Sequence, residues 1–275
     1  MQPFDPTFLL FVPGDRTDRF AKAVGSAASG AIIDLEDAVA PEGKARARVA
    51  TAAFLDASHD VSRVAVRING AGTQWFDDDL DALHGVPLGA VVVPKAASAE
   101  TLDTVASALG GAPIVAIIES SAGVVALEEI AANEHCAALA FGPYDLAADL
   151  GGTHEWDAML PHRARLLVAA RAFGRLAIDG PTAAFDDPAL VAREAADAAR
   201  LGYDGKLLIH PMQIEVARAA FRPSDEQLAH AQRVLAAAEH AMPAVLDGAM
   251  IDEPMLAAAR RVVARGRSKQ IRSLP

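Results

Sequence analysis

The chain has 275 residues, 52% of them hydrophobic but only 5% aromatic, and a formal net charge of −11. That length can bury a large core, and the composition leaves no room for long disordered stretches. The acidic balance argues against nucleic acid and anionic membranes as partners, because neutralising phosphates needs clustered Lys and Arg.

Eight short runs rich in Val, Ile, Leu and Ala recur along the chain, with helix-like stretches between them. The first four are Phe8 to Val12, Ala31 to Leu35, Arg63 to Ile68 and Ala90 to Val93. The second four are Ile114 to Ile118, Ala138 to Phe141, Leu176 to Ile178 and Lys206 to Ile209. Strands alternating with helices imply a parallel sheet with right-handed crossovers. Eight such units favour a closed (β/α)8 TIM barrel over an open Rossmann sheet. Between the strands, Thr17 can cap a helix through Val24, Pro41-Glu42 opens one through Phe54, and Ser121 to Ala132 and Asp186 to Leu201 form others. Past the eighth run, Ser224-Asp-Glu-Gln227 reads as a capping box for a helix to about Met242. A loop of about ten residues and a last helix from Pro254 to about Arg265 follow. The expected division is a catalytic barrel over 1–221 and a C-terminal helical extension over 222–275 that packs on a neighbouring subunit.

Cys136 is the single cysteine, which rules out an intrachain disulfide and any Cys-based zinc or iron–sulfur centre and fits a reducing cytoplasm. Met1-Gln-Pro-Phe-Asp-Pro lacks the basic and apolar regions of a secretion signal. No run approaches the ~20 apolar residues of a membrane helix, so a soluble, cytoplasmic protein is expected. No Gly-x-Gly-x-x-Gly follows the first strand, which leaves a dinucleotide site without support.

In a parallel barrel the C-terminal strand ends and the loops after them build the active site. Here those ends carry an unusual density of charge. Asp15 and Arg16 follow strand one; Asp34, Glu36 and Asp37 mark strand two; Arg67 and Asn69 mark strand three. Lys95, Glu119, Asp145, Asp179 and His210 mark the remaining five. A fully buried strand has little reason to finish in a carboxylate unless it opens into a pocket, since an unpaired charge in a dry interior costs several kcal/mol.

Glu119 and Asp145 therefore suggest a hard-cation site in which Mg2+ takes one oxygen from each and keeps positions for water and substrate. The competing reading makes them helix N-caps or partners of Arg67 and Lys95 in a structural ion network. Arg67 has the guanidinium geometry to fork onto a carboxylate or thioester oxygen, and equally to bridge a neighbouring acid. Asp34, Glu36 and Asp37 cannot all be ligands; at least one is expected to fix Arg67 or Lys44 or to cap the helix near Pro41. A buried, hydrogen-bonded structural role suits His210 better than that of a base. Asp252, just before Glu253-Pro254, sits where a helix N-cap belongs.

Several segments together carry a family resemblance. Phe11-Val-Pro-Gly-Asp-Arg16, Ile32-Ile-Asp-Leu-Glu-Asp-Ala-Val39, Val66-Arg-Ile-Asn69 and Val93-Pro-Lys95 come first. Ile117-Ile-Glu119, Phe141-Gly-Pro-Tyr-Asp-Leu-Ala-Ala-Asp-Leu-Gly151, Gly205-Lys-Leu-Leu-Ile-His-Pro-Met-Gln213 and Met250-Ile-Asp252 follow. In order and spacing the chain resembles the citrate lyase beta-subunit branch of the HpcH/HpaI aldolase superfamily. The resemblance implies a trimer or dimer of trimers that makes or breaks a carbon–carbon bond beside a thioester with Mg2+. It implies that Glu119 and Asp145 hold the metal and that Arg67 binds the substrate carboxylate or the developing enolate oxygen. It places Glu36, Asp37, Gly142 and Pro143 at the substrate, and has Asp252 reach a neighbouring subunit's site as acid or base. The partners implied are a 2-oxo acid and an acyl thioester, carried by coenzyme A or an acyl carrier. The alternatives are a metal aldolase for free 4-hydroxy-2-oxo acids and a carrier-dependent subunit of a citrate lyase complex. Tyr144 stands where many relatives have Glu or Asn, next to the expected metal ligand.

Overall fold

The computed structural model describes residues 3–58, 60–240, 244–246 and 249–267. Short β-branched and alanine-rich runs, buried on both faces, form parallel strands, as expected where helices cover a sheet. They are β1 (Phe8–Pro13), β2 (Gly30–Asp34), β3 (Val64–Arg67), β4 (Ala90–Val93), β5 (Ile114–Ile118), β6 (Cys136–Phe141), β7 (Leu176–Asp179) and β8 (Gly205–Leu208). These strands follow one another around a closed barrel, with β8 pairing back onto β1. This is the TIM barrel expected from the strand–helix alternation.

The helices between them are α1 (Phe20–Val24), α2 (Lys44–Asp56), α3 (Phe76–Leu83), α4 (Ala99–Ala108), α5 (Ser121–Val125) and α6 (Leu127–Ala132). Then come α7 (Pro143–Leu150), α8 (Trp156–Ala172), α9 (Pro188–Leu201) and α10 (Gln213–Phe221). Two expectations need correction. Thr17 is not a cap: Thr17–Arg19 is a 3-10 turn, and no side chain caps it. The helix expected from Ser121 to Ala132 is two, broken at Ala126, and its cap is Ser120, whose Oγ accepts from Gly123 N at 3.1 Å.

Period-two alternation decides what enters the barrel. The interior cluster includes Leu9, Ile32, Ala65, Val115, Ile117 and Ile178. Counting on by two from this set brings Asp34, Arg67 and Glu119 to the inner face at the C-terminal mouth. Asp34 and Arg67 also share a register position across β2 and β3.

The chain divides into two compact units, Met1–Ala220 and Phe221–Pro275. In the second unit, α11 (Asp225–His240) is followed by a hairpin of β9 (Ala244–Leu246) and β10 (Ala249–Ile251), then by α12 (Glu253–Arg267). The hairpin replaces the loop expected there, and Met242 lies outside the described residues. The capping box is present: Ser224 Oγ accepts from Gln227 N at 3.1 Å and Gln227 Oε1 accepts from Ser224 N at 2.9 Å. Ala231, Val234, Ile251, Leu256 and Ala259 form the unit's own small core.

Candidate active site

A pocket of about 400 Å3 opens at the barrel mouth, with Asp34, Asp37, Arg67, Glu119 and Asp145 on its polar side. Phe11, Ile117, Phe141, Leu207 and Ile209 are among the apolar residues that line the rest.

Arg67 is buried, with one edge of its guanidinium engaged in hydrogen bonds. Its Nε and Nη2 donate to the two oxygens of Asp34 at 2.7 and 2.6 Å, a bidentate fork. Its Nη1 faces Glu36 Oε2 at 2.9 Å and Asp37 at 3.7 Å. Burial lowers the guanidinium's pKa, but the Asp34 hydrogen bonds and charge outweigh that and raise it. The acid that fixes Arg67 is thus Asp34. Asp34 also accepts from the amides of Glu36 and Ala38, which shapes the turn after β2. Glu36 is buried but does not line the pocket; burial pushes its pKa up against the pull of Arg67 and Lys95. Asp37 is exposed at the rim.

Glu119, one residue beyond β5, is 4% exposed. Its Oε1 accepts the backbone N–H of Lys95 at 2.9 Å. Its Oε2 lies against Gly142, where an added Cβ would come within 2.6 Å of it, so glycine is required by the carboxylate's position. Burial, with the charges of Glu36 and Asp145 adding to it, pushes the Glu119 pKa up to about 7. Asp145 is not at a strand end: it sits in the first turn of α7, which Pro143 opens, at the end of the helix that favours negative charge. Neither carboxylate is a helix N-cap, since Ser120 caps α5 and Gly142 stands at the cap position of α7.

Glu119 and Asp145 present hard oxygen donors to one pocket, and the pull of Lys95 on Glu119 does not offset the burial of the charge it would carry. Among the described residues no group of three or more His, Cys, Asp or Glu is placed to hold a metal ion. A cation here would therefore take these two carboxylates and fill its shell with water and substrate oxygens, which is the habit of Mg2+. The donor set fits that ion.

A family model for HpcH/HpaI aldolase/citrate lyase proteins matches residues 7–211. The chain belongs to this family. It is 40% identical over 264 residues to a citrate lyase subunit beta-like protein of Mycobacterium tuberculosis, covering 93% of this chain and 94% of that one. It is 36% identical over 265 residues to a (3S)-malyl-CoA thioesterase of Cereibacter sphaeroides, covering 94% and 93%. The crystal structure of the protein CitE from Mycobacterium tuberculosis with magnesium, acetoacetate and coenzyme A is similar at a TM-score of 0.85 and 39% identity. That match covers 95% of this chain and 98% of that one.

Several other candidate residues of this family member are engaged in structural contacts. Asp179 does not face the pocket. Ile178 points inward, so Asp179 points out to the helix layer, where Arg163 Nε at 2.9 Å and Lys206 Nζ at 2.7 Å hold it, fully buried. Asn69 is likewise structural, donating from its side chain to Asp79 at 2.6 Å and to Leu35 O at 3.1 Å. His210 is half-buried, stacked on Phe185 with ring centroids 4.6 Å apart, and its Nδ1 accepts from Met212 N at 3.3 Å rather than bonding a carbonyl or an acid. Arg16 is exposed and pairs with Asp18 at 3.0 Å. Tyr144 lines the pocket, and its hydroxyl accepts from Ala183 N at 2.8 Å, tying α7 to the loop after β7. In the second unit Asp252 caps α12, its Oδ1 accepting from Met255 N at 3.0 Å.

Lys44 and Lys95 are the site residues whose tasks the sequence left unspecified. Lys44 Nζ donates to the carbonyls of Leu35 and Glu36 at 2.8 and 2.9 Å and so holds the acidic turn in place. Lys95 Nζ donates to Glu36 Oε1 at 2.5 Å. A place just past the end of β4 could put Lys95 near the mouth, whereas Lys44 opens α2; the atoms each one meets depend on loop conformation.

Proposed function

We propose that the chain is a Mg2+-dependent carbon–carbon lyase acting on a 3-hydroxyacyl thioester, of which citryl-, malyl- and citramalyl-CoA are the candidates. The reaction releases a 2-oxo acid and an acyl thioester, or runs in reverse. The observation that carries this reading is that Glu119, Asp145 and Arg67 line one pocket. When bound, Mg2+ held by Glu119 and Asp145 supplies Lewis acidity and orients the hydroxyl and carboxylate oxygens of the substrate.

The protein's own groups have the remaining work. A base takes the hydroxyl proton, the carbon–carbon bond breaks, and its electron pair passes into the thioester as an enolate. Arg67 stabilises that oxygen through Nη1, which pairs with Glu36 Oε2 at 2.9 Å without a hydrogen bond to it, while Asp34 occupies the Nε–Nη2 edge. Asp252 returns the proton to carbon, reaching the pocket of a neighbouring subunit in a homotrimer or dimer of trimers. The apolar wall keeps water from the enolate. Arg67 is also the only cation lining the pocket among the described residues, which suits acyl groups with a single carboxylate, as in malyl and citramalyl, better than citryl.

The test is a panel of citryl-, malyl- and citramalyl-CoA assayed for 2-oxo acid release with Mg2+ and with chelator. Chelator-sensitive release from at least one thioester is expected. Release only from free 4-hydroxy-2-oxo acids would make the chain an aldolase. Free malate formed from glyoxylate and acetyl-CoA would mark a thioesterase, the activity named for the Cereibacter relative.

A further inference from the structure

Lys95 is the one residue other than glycine, among the described residues, whose backbone is left-handed, with φ at 47°. A residue with a Cβ adopts that conformation at a cost and keeps it only where its surroundings demand it. The demand is visible in what the turn accomplishes. The pairing of β4 with β5 runs to Val93 and Ala116 and resumes where Ala96 N donates to Ile117 O at 3.1 Å. In between, the Lys95 amide turns out of the ladder and donates to Glu119 Oε1 at 2.9 Å, and the left-handed φ that follows it returns the chain to the ladder. With Oε1 held and Oε2 set against Gly142, the Glu119 carboxylate has one orientation.

We propose that Lys95 is a positioning residue for Glu119 and acts through its backbone: the left-handed conformation lets the chain rejoin the ladder while the amide stays on Glu119 and fixes which carboxylate oxygen meets the cation. The inference rests on the Mg2+ reading of the site. The ammonium has a separate partner, Glu36, so the two roles of this residue can be pulled apart.

Four variants do so, all lacking the ammonium: Lys95→Gly and Lys95→Asn, which tolerate left-handed backbone, and Lys95→Ala and Lys95→Val, which tolerate it progressively less. The measurement is the Mg2+ dissociation constant by isothermal titration, with no substrate present. The Gly and Asn variants should agree within about threefold, Ala should bind several-fold more weakly, and Val at least about tenfold more weakly. If Val does not fold, the Gly-to-Ala ratio carries the test. A residue that only supports the fold would lower Tm in the Ala and Val variants and leave the constant unchanged. Equal Mg2+ affinity across the variants would overturn the inference alone. A wild-type chain that takes up no Mg2+ would overturn the metal reading and the inference with it.

Discussion

Glu119 is a carboxylate held where its charge is unwelcome unless a cation arrives. With a folded pKa of about 7 against an ordinary 4.5, its protonated form is the one the metal-free fold favours. Its contribution to stability is then complete below about pH 4.5 and is lost as pH rises through about 7, a change on the order of 3 kcal/mol. Metal-free protein should therefore melt several degrees lower at pH 8 than at pH 5.5 on this group's account, and Mg2+ should restore more at pH 8. In Glu119→Gln both the pH step and the Mg2+ rescue should disappear from thermal melts; a step that survives would assign the effect to another group.

Arg67 poses the matching problem for a cation. Truncation to Ala should lower kcat by about 10²-fold, the usual loss when one oxyanion donor is removed. It should also destabilise the fold by about 3–5 kcal/mol, because Asp34 is left buried and unpaired. Arg67→Lys separates the two: it keeps a charge beside Asp34 but loses the fork, so stability should recover further than kcat. Equal recovery of both would argue that Arg67 only holds the turn after β2. That Asp34, Arg67 and Glu119 share the inner face follows from period-two counting along three strands. That Asp34 takes the fork of Arg67 depends on register and side-chain reach, which residue order does not contain.

At the level of elements, one residue of parity separates the pocket from the scaffold. Asp179 ends β7 as Glu119 follows β5, but it sits one place past an inward isoleucine and so belongs to the layer between barrel and helices. There it holds Arg163 from α8 and Lys206 from β8, and Arg163 also stacks over the ring of Phe141 at 4.7 Å. Burial raises the pKa of Asp179, yet the two cations win and hold it below the usual carboxylate range. Asp179→Ala would take the nearest counter-charge from two buried cations, leaving Lys206 with Glu194 at 3.8 Å. The expected cost is about 3–5 kcal/mol in urea unfolding, with kcat of the folded fraction within about twofold of wild type. A loss of activity larger than the loss of folded protein would return Asp179 to the pocket. The strands themselves were legible to within a residue or two, because β-branched runs bounded by glycine and helix caps are unambiguous. The break at Ala126 and the β9–β10 hairpin were not, since a one-residue kink and three-residue strands leave no period to read.

For the whole molecule, the proposed reaction turns on which chain supplies the proton. The first unit carries Glu119, Asp145 and Arg67, and the second carries Asp252 on the cap of α12. A cap explains Asp252 without any chemistry, so the substitution must spare it. Asp252→Asn does, because asparagine caps a helix about as well as aspartate but cannot exchange a proton. If Asp252 only caps, the variant should keep its Tm and its kcat. If it is the acid, kcat should fall by about 10²-fold or more, the usual scale of general acid–base catalysis, with Tm and Mg2+ affinity unchanged. Assembly adds a sharper consequence. When each active site takes Arg67 from one subunit and Asp252 from another, an oligomer mixed from Arg67→Ala and Asp252→Asn chains contains sites with both residues intact. Co-refolded mixtures should then regain activity that neither variant has alone, in proportion to the mixed species separated by native chromatography. Mixed oligomers with no more activity than the parents would place both residues in the same subunit's site or remove Asp252 from the chemistry.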